Sequence, residues 1–363
     1  MQLTQRNIGA YLLEHQLIDG AEFLRGRYRW RQLSGRYNHF VVFHTKGEGL
    51  FVRQLKAKDL ASRDSLQREA AAYYLLKNAD AYRMARPGVT DYLGYDSRHQ
   101  VLFTGYFQSL GTMLELTEMQ AQLSADQARN MTRTLTPFHQ EVNSALLQKA
   151  PFQRLGRRMP WIFQLPTQSH ATDAVLQLIQ QDQALIDGLD EAARSWSPTS
   201  LIHGDVRLSN FLVQLDGRKE KLKLIDWELA TLGDPLWDLA GLLCTYLAAS
   251  LAYVNDASAP DDLPLAKTFW NQNAVYDIWK AIWQTYAEAR HWSYSENEAA
   301  ARKVVAFIGA CLLQSAVEYN RVSPKQLSQP ALAMLNQARY CFEKPGQFVR
   351  YFFSQPPQFA VHE

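Results

Sequence analysis

The spacing of apolar and polar residues changes character along this chain. At the N-terminus Ile8, Leu12, Leu13 and Leu17 recur at helical spacing, which predicts an amphipathic helix. Residues Tyr37 to His44 and Leu50 to Leu55 are rich in aromatic and β-branched types and flank the turn Lys46-Gly47-Glu48-Gly49, a hairpin signal. A helix is expected from about Ser65 to Lys77, then strands over Gly88–Tyr95 and Val101–Phe107. Beyond residue 108 the pattern is mostly helical. Ser124 can cap a helix running to about Leu147, and a second amphipathic stretch covers Thr172 to Ser195. A short β-like patch spans Leu201–Ile202 through Leu222–Ile225, and helices dominate from Leu236, with a loop at Pro260–Pro264. This reads as an α+β chain of two lobes: a small sheet-rich lobe over residues 1–107 and a larger helical lobe over 108–363.

Composition narrows the class without naming an activity. The 363 residues, 47% hydrophobic and 20% charged, suffice for a substantial core and leave little room for long disorder. A net charge of +2 is too small to make nucleic acid or an anionic membrane the main partner. The longest apolar run, Leu239 to Val254, falls short of the roughly 20 residues of a spanning helix, so a core helix is expected. Cys244, Cys311 and Cys341 form no CxxC pair and read as buried small hydrophobes in a reducing, cytoplasmic setting. The N-terminus has no uninterrupted apolar signal-peptide core. No oligomeric state follows from these features.

The chemistry lies in one segment. An apolar pair, Leu201-Ile202, leads into His203-Gly204-Asp205; Asn210 stands five residues after Asp205; and Asp226 ends the apolar run Leu222–Ile225. Phosphoryl transfer needs one carboxylate to orient and deprotonate the attacking hydroxyl, and an amide with a second carboxylate to hold Mg²⁺ on the nucleotide phosphates. Kinase catalytic loops use this spacing. Any turn favours Gly-Asp, so HGD alone is weak. The three together, with both Asp residues following apolar runs, point to a kinase.

Here the sequence resembles the aminoglycoside phosphotransferase and choline kinase superfamily, most densely from His203 to Leu242: HGDxxxxN, then IDWELATLGDPLWDLAGLL. The resemblance implies a protein-kinase-like fold, with Asp205 as catalytic base and Asn210 and Asp226 as Mg²⁺ ligands. His203 would order the loop, Asp234-Pro235 would start a helix, and Asp238 would brace the loop from that helix. Arg207 would contact phosphate or pair with an acidic neighbour. The strand lysine that holds nucleotide phosphates is replaced by Arg53, with Glu69 as its helix partner; Lys56, three residues on, is expected on the opposite face. The phosphate loop is reduced to Gly35, and Thr104 to Phe107 would form the hinge that reads the base. His139 resembles a structural position. Arg154, Arg157 and Arg158 beside Trp161 form a basic cluster, read mainly as a solvated loop, with contact to an anionic substrate as the alternative. His39 and His44, five apart on a strand, fall on opposite faces, which argues against a shared metal.

The expectation is transfer of the γ-phosphoryl group of ATP, with GTP as the alternative nucleotide, to a hydroxyl of a small metabolite or natural product. Two other readings stand beside it. One is a kinase for Ser or Thr of a peptide; the other is a non-catalytic nucleotide-binding pseudokinase, suggested by Arg53 and the poor glycine loop.

Overall fold

The structure, a computed structural model, describes residues 1–33, 35–47, 49–56, 62–120, 124–142, 159, 170–216, 219–255, 272–322 and 327–353. The basic cluster of Arg154, Arg157 and Arg158, Trp161 and the 260–264 loop lie outside the described residues.

Two short helices, α1 (Ile8–Glu14) and α2 (Gly20–Leu24), precede a five-stranded antiparallel sheet of β1 (Tyr28–Leu33), β2 (Asn38–His44), β3 (Gly49–Gln54), β4 (Tyr92–Asp96) and β5 (Val101–Gly105). The strand order is β1-β2-β3-β5-β4. Alternation decides what each face does. Phe40, Val42, Val52, Val101 and Phe103 pack under α1 against Ile8, Tyr11 and Leu12 as one apolar cluster. The intervening residues Val41, Phe51, Arg53, Leu102 and Thr104 therefore face the other way and line a cleft. Helix α3 (Arg63–Asn78) brings Glu69 and Tyr73 to the same cleft.

A three-stranded sheet follows from β6 (Gly111–Thr112), β8 (Phe211–Asp216) and β9 (Lys219–Leu224), with a small pair of β7 (Ser200–Ile202) and β10 (Thr231–Gly233). The remaining elements are helices: α4 (Met113–Gln120), α5 (Ala125–Leu135), α6 (His170–Gln181), α7 (Gln183–Ser195), α8 (Pro235–Asn255), α9 (Gln272–Arg290), α10 (Tyr294–Val322), α11 (Gln329–Glu343) and α12 (Pro345–Phe353). The mixed chain, sheet first and helices after, is the α+β architecture expected. Two helical stretches, Pro235–Ala252 and Tyr294–Asn320, are long and apolar enough to cross a membrane by composition, but 56% and 67% of them is buried inside the protein. They are core helices, packed on each other and on α11.

Several boundaries differ from expectation, each for a local reason. The helix capped by Ser124 ends at Leu135, not Leu147: Pro137 lies in a 3₁₀ turn over Thr136–Phe138 that terminates it. The 172–195 stretch is two helices, split where the Asp182 side chain accepts from the Ala184 and Leu185 amides and starts the second. Residues 86–88 form a 3₁₀ turn containing Pro87, so β4 begins only at Tyr92.

Candidate active site

Catalytic-loop geometry depends on one buried carboxyl group. Asp234 accepts from the Leu236 amide at 3.1 Å and starts α8, with Pro235 at the first position. One turn along, Asp238 reaches back to accept from the backbone amides of His203 (2.7 Å) and Gly204 (2.9 Å) and from His139 Nε2 (3.2 Å). Asp238, His139 and His203 are fully buried. Tyr286 hydroxyl meets the other ring nitrogen of His139 at 2.8 Å, which orients that ring. Gly204 sits at φ +85° with its Cα against the Leu229 carbonyl; a Cβ there would lie 2.5 Å from that oxygen. Only glycine satisfies both demands.

His203 ties the loop to the strand that carries Asp226. Its Nε2 meets the Ile225 carbonyl at 2.8 Å, and its Nδ1 accepts from the Asp205 amide at 3.2 Å. Asn210 donates from Nδ2 to the Asp205 carbonyl at 2.8 Å, which leaves Oδ1, the atom able to take a cation. The Ile225 amide donates to the Asn210 carbonyl at 2.9 Å. Asp205, Asn210 and Asp226 are thus brought onto one hydrogen-bonded frame. Asp226 itself has φ +70°, ψ 55°, a left-handed conformation uncommon for a non-glycine. The strain is held by Trp227, fully buried, whose indole donates to the Leu224 carbonyl at 3.0 Å and closes the turn.

Arg53 and Glu69 meet as anticipated, with an addition. One guanidinium nitrogen, Nη1, lies 2.5 Å from Glu69 Oε2 and 2.9 Å from Asp226 Oδ1. One positive charge therefore serves two carboxyl groups. Burial opposes the Arg53 charge, but Glu69 and Asp226 outweigh it and hold the guanidinium protonated. Burial pushes the Glu69 carboxyl up to about 8 against the pull of Arg53, and Asp226 and Glu228 add to the rise. Lys56 lies past the end of β3 rather than on its pleat, and its amine donates to the Gly35 carbonyl in the turn between β1 and β2.

Two cavities flank this frame. One, of about 240 Å³, is lined by Leu33, Val41, Phe51, Thr104, Phe107 and Leu212, with Arg53 and Asp226 at one end. Of the four expected hinge residues, Thr104 is paired within β5 and buried, while the Gly105 and Tyr106 amides donate to Asp91 and Gly49 carbonyls. Tyr106 and Phe107 lie beyond the end of β5, and both line the smaller cavity. The other cavity, of about 430 Å³, opens beyond Asp205, with Arg207, Trp237, Ala248, Glu318 and Tyr319 in its walls. Arg207 donates from Nε to Asp205 Oδ1 at 2.8 Å and from Nη1 to Glu318 Oε2 at 3.2 Å, so the acidic pairing holds in this state. Burial works against its charge, but the two carboxylates prevail.

Sequence reading missed three contributors. Glu228, quoted only as part of a motif, accepts from the Tyr37 hydroxyl at 3.0 Å and from Arg36 at 3.3 Å, joining the Gly35 turn to the Asp226 segment. Glu318 comes from α10, 111 residues after Arg207. Tyr73, bonded through its hydroxyl to Thr90, backs the smaller cavity. Only Glu228 left a signal, as an acid two residues from Asp226.

A β-roofed cleft, an Asp-Asn-Asp frame beneath it and a second cavity on the far side of Asp205 are the features of a kinase-like phosphotransferase. The chain belongs to the phosphotransferase enzyme family that includes the aminoglycoside phosphotransferases, whose model matches residues 29–292. In fold it is similar to an ethanolamine kinase of Plasmodium vivax (12% identity, TM-score 0.60, covering 92% of this chain and 89% of that one). It is similar also to a choline kinase of Cryptosporidium parvum (12% identity, TM-score 0.58, covering 97% and 100%). A stretch of 53 residues is 47% identical to mouse acyl-CoA dehydrogenase family member 10; the match spans 14% of this chain and only 5% of that relative.

Proposed function

We propose that this chain transfers the γ-phosphoryl group of ATP to a hydroxyl of a small metabolite or natural product, with Asp205 as the base. The observation that carries the reading is the pair of cavities on the Asp205–Asp226 frame, one lined by Asp226 and fit for a nucleotide, the other lined by Asp205 and fit for an acceptor. In this reading Asn210 Oδ1 and Asp226 hold Mg²⁺, which neutralises charge on the phosphates when bound. Arg53, fixed by Glu69, faces the same phosphates. The acceptor hydroxyl gives its proton to Asp205 Oδ2, the oxygen not tied to Arg207; its oxygen takes the phosphoryl group, and ADP leaves. The larger cavity, of about 430 Å³, has the volume of a small-molecule site, which favours a small acceptor over a peptide. The ethanolamine and choline kinases of similar fold, named for small hydroxyl compounds, agree with that size.

The test is acceptor-dependent ADP release across a panel of hydroxyl compounds with Mg-ATP and Mg-GTP, with mass spectrometry for the added phosphate. Asp205→Ala should lower turnover by about 10²–10⁴-fold while nucleotide affinity stays within about twofold. Unchanged turnover in that variant would remove Asp205 from its role.

A further inference from the structure

Kinase glycine loops bind phosphate through backbone amides, which glycine allows to approach closely. This chain has one glycine in that turn, Gly35, and a histidine where the following strand leaves it. Antiparallel register places His39 opposite Leu33 on one side and Arg53 on the other. Directly opposed residues project to the same face. Two positions further along the same face, Val41 stands opposite Phe51, and both line the smaller cavity. Passing from Val41 to His39 therefore runs from the base-sized part of the cleft to the end where Arg53 meets Asp226 and Glu69.

The ring is held there closely. It packs beside Phe51, with centroids 5.3 Å apart, and beside Tyr37 at 5.9 Å. Nδ1 lies under the turn, 3.2 Å from where a Gly35 Cβ would be, so the single glycine makes room for the imidazole. Among the described residues its buried Nε2 has no hydrogen-bond partner. The turn above is fixed by Lys56 on the Gly35 carbonyl and by Tyr37 and Arg36 on Glu228. A desolvated ring nitrogen with no partner among the described residues, on the strand face of the Arg53 guanidinium, is a group able to take a ligand. Burial and the Arg53 charge keep the imidazole largely neutral, at about 4, before any anion arrives.

We propose that His39 is a triphosphate-binding residue, offering a ring N–H to a phosphate oxygen in place of the missing loop glycines. The inference rests on the nucleotide reading above and assigns to this strand a side-chain contact. The structural alternative is an imidazole that only packs between Phe51 and Tyr37.

Binding of Mg-ATP, of adenosine and of inorganic tripolyphosphate with Mg²⁺ is measured by titration calorimetry for wild type, His39→Ala and His39→Gln, with His44→Gln as control. His39→Ala should weaken Mg-ATP and tripolyphosphate about ten- to a hundredfold and leave adenosine within about twofold. His39→Gln, which keeps a donor, should recover part of that loss, and His44→Gln should bind as wild type. Equal loss for adenosine and Mg-ATP, or no loss in either His39 variant, overturns the proposal in favour of packing. If His39→Ala fails to fold, the comparison of adenosine with Mg-ATP in His39→Gln and His39→Asn decides it. A wild-type chain that binds no nucleotide overturns the nucleotide reading itself, whereas wild-type binding with unaltered His39 variants overturns this proposal alone.

Discussion

Asp238 offers the sharpest test of how the catalytic loop is held. It accepts three N–H groups, from His203, Gly204 and His139, and no part of it meets solvent. Asp238→Ala would orphan all three donors in a space too small to solvate them well. Each unsatisfied buried donor costs about 1–3 kcal/mol, and removing one side of a buried charged network costs about 3–5 kcal/mol, so a loss of about 3–5 kcal/mol is expected. Asp238→Asn keeps one acceptor oxygen but turns an amide NH₂ towards a remaining N–H, and should lose about 2–3 kcal/mol. In a chain of 363 residues, with about 2.1 cal/mol/K of unfolding entropy per residue, each kcal/mol lowers the melting temperature by about 1.3 °C. The alanine variant should therefore melt roughly 4–7 °C below wild type, and urea unfolding should show the same order. Turnover should fall further than nucleotide affinity, because the displaced residues carry Asp205 and not the roof of the cleft. A loss below about 1 kcal/mol in Asp238→Ala would refute the claim that this carboxyl holds the loop.

The Glu69 carboxyl, pushed up to about 8, gives a pH signature in the nucleotide-free protein. A folded-state value above the unfolded one means that its contribution to stability is whole below about 4.5 and is lost as pH rises through about 8. Melting temperature should fall across that window in wild type relative to Glu69→Gln; parallel curves would contradict the burial argument. Gly204→Ala must accept a strained φ and a clash with the Leu229 carbonyl. It should cost on the order of 1–3 kcal/mol and depress turnover more than Asp205-independent nucleotide binding, as read by urea unfolding and calorimetry.

What the sequence disclosed was local chemistry. The juxtaposition of Asp205, Asn210 and Asp226 was legible because short, fixed spacings put them on one loop and at the end of the next strand. Arg53 and Glu69 were legible because strand alternation and helix position select one candidate each. Long-range partners were not. Asp238 meets His139 across 99 residues, His139 meets Tyr286 across 147, and Glu228 meets Tyr37 across 191. No periodicity encodes such pairings, which exist only after the core closes. The end of α5 was missed despite Pro137, whose effect on the helix is local, and the break at Asp182 despite a good capping residue. In both cases an extended amphipathic pattern outweighed one punctuating residue.

Glu228 has a consequence for how the two halves of the cleft move. Its carboxylate is gripped by a buried phenol, Tyr37, and by a guanidinium whose side chain is half exposed, Arg36. Dissolved ions screen the second grip and scarcely touch the first. Beside the Arg53–Asp226 pair, Glu228 thus fastens the roof of the cleft to the Asp226 segment by one bond that ionic strength loosens and one that it does not.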